Sequence, residues 1–119
     1  LDQLKRLNFL DLNGKDMALD RERTQRLTYD LGQTLDIPVV SGSDTHQAVQ
    51  YGCIATCFEG TFDTVEEMHQ EMLAGRYEIQ LVDSAAFQVR TACLLKRSLK
   101  EIYALGGDYV AVLTKAVSA

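Results

Sequence analysis

Three segments near the start of the chain, in a fixed order, limit its fold more than anything else in it. Leu7 to Leu12 is an apolar run that reads as a strand, with Asn13-Gly14 as its turn signal. Asp20 can cap the helix that follows, which runs to about Leu35, and Leu27, Leu31 and Leu35 recur at every fourth residue as its buried stripe. Ile37 to Val40 is a short apolar run ending in small residues, as a buried strand would be. Strand, helix, strand is a βαβ unit. It requires a parallel pair and a right-handed crossover, so the front of the chain is expected to be α/β.

The remainder alternates in type. Tyr51 to Phe58 reads as a strand. Thr64 and Glu67 have capping-box spacing ahead of a helix whose apolar face is Val65, Met68, Met72 and Leu73, and Gly75 sits where a left-handed C-cap belongs. Arg76 to Val82 alternates, with Tyr77, Ile79 and Leu81 on one side, which predicts a half-exposed strand. A long helix is expected from Ser84 to about Leu105, with Asp83 or Ser84 as its cap. Phe87, Leu94, Leu95, Leu99 and Ile102 would supply its apolar positions, while Arg90, Lys96, Arg97 and Lys100 would line its outer faces. Gly106-Gly107 breaks it. Asp108 to Val117 fits a short helix through Tyr109, Leu113 and Val117, or a strand through Val110 and Val112; the helix is preferred.

At 119 residues the chain can bury one small core. Its 12 basic and 17 acidic residues give a formal net charge of −5, which argues against broad binding to nucleic acid or membranes. No apolar stretch is long enough to cross a bilayer, and no signal peptide is evident, so a cytoplasmic location follows by default. Cys53, Cys57 and Cys93 are an odd number without CxxC spacing and read as buried reduced thiols. The chain begins at Leu1 and enters an amphipathic segment directly, which reads as a piece of a longer protein.

Chemistry points to Ser41-Gly42-Ser43-Asp44-Thr45-His46. Asp44 and His46 follow the second strand at its carboxyl end, where active sites assemble in barrels and open parallel sheets. Residues two apart on extended backbone project to one side, so a carboxylate and an imidazole would enter one cavity. Both are ligands that zinc, manganese and iron accept. As a bare pattern Asp-x-His is weak, and two ligands fall short of the three that catalytic zinc normally takes.

The run from Asp36 to His46, a short strand ending in Gly-Ser-Asp-x-His, resembles the last metal-binding motif of the PHP (polymerase and histidinol phosphatase) family. Leu10 to Gly14 is similar to the family's preceding strand and turn. Phe58 to Gly75 is similar to its phenylalanine, loop, Thr-x-x-Glu-capped helix and terminal glycine. The resemblance spans about residues 7 to 82. It implies that 1–82 is the C-terminal part of a distorted (β/α)7 barrel and 83–119 a PHP-associated helical tail. It further implies a phosphoesterase, histidinol phosphatase-like, that hydrolyses a small phosphate ester with divalent metal ions (Zn, Mn, Mg or Fe). Asp44 and His46 would both be metal ligands, no catalytic residue is assigned, and Asn13 could border the mouth of the site. The family also carries a His-x-His motif and further histidines upstream; here there are two histidines in all, and none precedes His46. The chain alone is therefore expected to bind metal weakly or not at all and to lack turnover. The N-terminal remainder of the protein would be its partner in the complete site. Gln47 stands where many relatives have a basic residue, which argues against histidinol phosphate as the substrate.

Other residues have simpler readings. His69, between Met68 and Met72, reads as a packing histidine, and Glu66, Glu67 and Glu71 as a solvated helix face and cap. The basic residues of the long helix read as a solvated face, not a nucleic-acid stripe. The alternative to a hydrolase is a non-catalytic interaction or dimerisation domain derived from the same fold, which could form a homodimer. Separately, a slice of barrel leaves strand edges unpaired, so an exposed apolar face that the missing half of the barrel would bury is expected.

Overall fold

The computed structural model describes residues 3–108, 110, 111, 114 and 115. A 3-10 turn at Leu4–Arg6 leads into β1 (Leu10–Asp11), α1 (Gly14–Leu19), α2 (Arg21–Leu35) and β2 (Val39–Val40). A second 3-10 turn at Ala48–Gln50 precedes β3 (Ile54–Phe58), α3 (Val65–Leu73), β4 (Tyr77–Leu81) and α4 (Ala85–Ala104). β1 and β2 pair in parallel, with Leu10 opposite Val39 and Asp11 opposite Val40. β3 and β4 form an antiparallel pair from Ile54–Leu81 to Phe58–Tyr77. The chain is thus mixed α/β. Among the described residues the strands form two separate two-stranded sheets and no closed barrel.

The helix boundaries follow from caps. The Asp20 carboxylate accepts from Arg23 N–H at the start of α2, as expected. Thr64 and Glu67 close the capping box of α3 reciprocally, and Gly75, at φ 68°, ends that helix in the left-handed region. Tyr77, Ile79 and Leu81 face inward while Glu78 and Gln80 face solvent, as the alternation predicts. The described residues beyond Gly107 include helical positions at 110, 111, 114 and 115, while Tyr109, Val112, Leu113 and Val117 lie outside the described residues.

Several expectations fail for identifiable reasons. The first strand is two residues long, because β2 offers only Val39 and Val40 for it to pair with. Asn13-Gly14 is a helix start rather than a plain turn: the Asn13 side chain accepts from Asp16 N–H at 3.1 Å and caps α1. Leu27 and Leu31 are exposed, at 54% and 37%, and within the expected stripe of α2 only Leu35 is buried. Val65 and Leu73 of α3 are also exposed. In α4 the large residues Phe87, Leu94 and Leu95 point outward, and the buried face is Ala85, Val89 and Ala92. Size misleads here. α4 lies against α1 and the second 3-10 turn, and only small side chains fit that approach.

One core cluster joins these parts, built from Leu12, Met17, Val39, Cys53, Ile54, Ala85 and Val89. α4 therefore contributes to the same core as β1 and β2. The start of α1 is packed against the loop after β2. A Cβ on Gly14 would come within 2.6 Å of Ile54 Cγ2 and 2.8 Å of the Gly42 carbonyl oxygen. Backbone cannot yield as a flexible side chain can. Gly14→Ala is expected to cost roughly 1–3 kcal/mol through overpacking, read as a lower urea midpoint with an unchanged m-value.

Candidate functional site

The loop carrying Asp44 and His46 leaves β2 at Ser41 and is held from three directions. Ser41 is buried; its hydroxyl donates to the Leu12 carbonyl. Ser41 N–H donates to Thr56 Oγ1 at 2.8 Å, and the Thr56 hydroxyl donates to the Ser41 carbonyl at 2.7 Å. Gln50, also buried, donates from Nε2 to the Ser43 carbonyl at 2.8 Å and to the Asp44 carbonyl at 3.2 Å. These bonds satisfy polar groups that would otherwise be stranded inside, so the loop has a defined shape. Asp44 itself adopts φ 47°, a left-handed conformation that few residues other than glycine tolerate and that aspartate accepts better than most.

The structure does bring Asp44 and His46 together. His46 Nδ1 lies 2.8 Å from the Asp44 carbonyl oxygen and 3.8 Å from its carboxylate Oδ1. A carbonyl can only accept, so in the neutral ring Nδ1 carries the proton and Nε2 presents its lone pair. Metal-binding histidines commonly show this arrangement, with the distal nitrogen fixed by a backbone carbonyl. Both side chains are well exposed, and their mutual charge contact adds little to stability.

Asp11, at the carboxyl end of β1, joins them. Its carboxyl group is raised above the ordinary carboxylate range by partial burial and by repulsion from Asp44, partly offset by the Gly42 N–H that it accepts. Asp44 and His46 are the donors that line this mouth, and a carboxylate and imidazole pair suits zinc, manganese or iron, while Asp11 ends the neighbouring strand outside the cavity lining. They do not close a coordination sphere. Among the described residues, no three His, Cys, Asp or Glu side chains are grouped closely enough to hold a metal ion.

Beside them lies a cavity of about 380 Å³ lined by Lys15, Asp44, His46, Lys96, Arg97 and Lys100. Lys96, Arg97 and Lys100 are exposed, as a solvated face would be, and the same face borders the Asp44–His46 site. Cys93 is exposed and lines the same cavity, against the expectation of a buried thiol, whereas Cys53 is buried as expected. Asn13 is committed to the α1 cap, and it is Lys15, two residues on, that reaches the cavity. His69 is half-buried on α3, as a packing histidine would be, and does not line this cavity. Asp11, Thr56, Gln50 and Lys15 were not legible as site residues. Asp11 ends a strand next to the motif strand, and that placement was the one signal available.

No family model matches the sequence, and no curated protein matches it. Among solved structures it is similar to PsfC from Pseudomonas syringae PB-5123, with a TM-score of 0.58 at 23% identity over 82% of this chain and 39% of that one. The likeness establishes a shared fold, and the chain spans about two-fifths of that structure's length. Among the described residues no helix is long and apolar enough to cross a membrane.

The raised Asp11 carboxyl gives a test with a definite sign. A carboxyl whose folded-state pKa exceeds its unfolded value takes up protons more readily when folded, so stability falls as pH rises through that interval. In EDTA, Asp11→Asn is expected to raise Tm at neutral pH by about 1–3 °C. The advantage should vanish once acid protonates the wild-type carboxyl, as thermal unfolding monitored across pH would show.

Proposed function

We propose that the chain is part of a PHP-type, metal-dependent phosphoesterase that hydrolyses a small phosphate ester. The observation that carries this reading is the placement of Asp44 and His46 just after β2, at the carboxyl end of the parallel pair, on the rim of a cation-lined cavity. Asp44 and His46 Nε2 are the groups that would hold a divalent ion. Such an ion, when bound, supplies Lewis-acid polarisation of a phosphoryl oxygen and activates water. The chain's own residues do the rest. Gln50 and the Asp44 carbonyl keep the imidazole oriented, the Ser41–Thr56 pair fixes the loop, and Lys15, Lys96, Arg97 and Lys100 draw the anionic ester to the mouth.

Two ligands from one loop are too few for a working centre, so the reading includes further histidines supplied by sequence before Leu1. With that sequence restored, Mn²⁺-dependent hydrolysis of p-nitrophenyl phosphate is expected, whereas the 119-residue chain alone should give none. His46→Gln in the restored protein should lower kcat/KM by about 10- to 100-fold. A restored protein without metal-dependent turnover overturns the proposal.

One observation favours a second reading, an interaction or dimerisation module. Leu19, Leu27 and Leu31 are exposed together along α1 and α2, at 47%, 54% and 37%. If they form a self-association surface, light scattering will report a dimer at micromolar concentration, and Leu27→Glu will return it to monomer.

A further inference from the structure

We infer that the ligand of this cavity carries two separate anionic groups: a phosphate at the Asp44–His46 end, and a second phosphate or carboxylate over Lys96 and Lys100. The identity of the first anion rests on the phosphoesterase reading; the existence of the cradle does not. Lys15, Lys96, Arg97 and Lys100 converge on one cavity in a chain of net charge −5. Among the described residues none of the four has a carboxylate within ion-pairing distance, whereas the exposed Arg76 elsewhere is paired bidentately with Glu71. On α4, Lys96 and Lys100 are four residues apart, and Arg97 and Lys100 three. These spacings put like charges beside each other and destabilise a helix until an anion relieves them.

Four cations exceed what one phosphate monoester needs, and they are spread out. Lys96 and Lys100 stand one helical turn apart, about 6 Å along α4, and both also line the space beyond the Asp44–His46 end. The cleft also continues past them. A second cavity of about 390 Å³ shares Gln47, Lys96 and Lys100 and is walled by Leu99 and Tyr103. The two lysines therefore stand midway along a trough, with the phosphate end on one side and apolar wall on the other. A small phosphorylated acid or a bisphosphate, with its carbon body along the trough, fits this distribution.

Calorimetric titration at low ionic strength in EDTA tests the cradle without turnover. Matched probes are 3-phosphoglycerate and glycerol 3-phosphate, which differ in the second anionic group. The chain should bind 3-phosphoglycerate roughly 5- to 10-fold more tightly. Lys96→Gln with Lys100→Gln should abolish that preference. Lys5→Gln with Arg90→Gln, which removes the same charge away from the trough, should leave it intact. Equal affinity for the two probes, no binding of either, or a preference that survives Lys96→Gln with Lys100→Gln overturns the inference. Retained preference without metal-dependent hydrolysis in the restored protein would instead remove the phosphoesterase reading and keep the cradle.

Discussion

The parallel pair β1–β2 and the antiparallel pair β3–β4 share no backbone ladder among the described residues, and the Thr56 hydroxyl joins them. It accepts from Ser41 N–H and donates to the Ser41 carbonyl, so one side chain replaces the two bonds that a neighbouring strand would have made. Tyr77 adds a third link, its hydroxyl donating to the Val39 carbonyl at 2.7 Å. The position of β3, the packing of Ile54 against the start of α1, and the geometry of the Asp44–His46 loop all follow from this junction. A hydroxyl at position 56 is thus worth more than its two hydrogen bonds. Without it, the backbone polar groups of Ser41 would be left half-buried and unpaired.

What was legible in the sequence is what depends on local chemistry. Asp20, Thr64, Glu67 and Gly75 set helix ends through contacts three or four residues away, and each does so in the structure. Asp44 and His46 were found because their partnership is carried by a two-residue spacing. The site's other members come together across the chain: Thr56 reaches Ser41 across 15 residues, and Lys96 lines the same cavity as His46 from still further along the sequence. No local pattern encodes those meetings. Strand ends escape a local reading for a related reason. An apolar run has no cap, so Leu7 to Leu12 and Tyr51 to Phe58 looked longer than the pairing that β1 and β3 actually find.

The charge reading shows a similar limit. A net charge of −5 describes the far field, and there it argues against a protein that coats a polyanion. It says nothing about a cavity whose cations come from α1 and α4. Global acidity and a local cationic mouth are compatible, because screening confines each to about a Debye length, roughly 8–10 Å in physiological salt.

α4 makes the connection between core and site physical. Ala85, Val89, Ala92, Lys96 and Lys100 follow one another at helical spacing along a single stripe of the helix. The first three are buried against the core, and the last two line the cavity. The stripe changes from small and apolar to long and basic where the helix runs out past the core and over the loop after β2. Gln88 fixes that crossing by donating to the Val49 and Tyr51 carbonyls at 3.1 and 3.3 Å. Displacing the amino half of α4 would therefore move the cations as well, because a helix of 20 residues transmits a shift along its axis. Ala85 and Ala92, buried on that stripe, thus help to seat the helix that carries Lys96 to the cavity His46 lines.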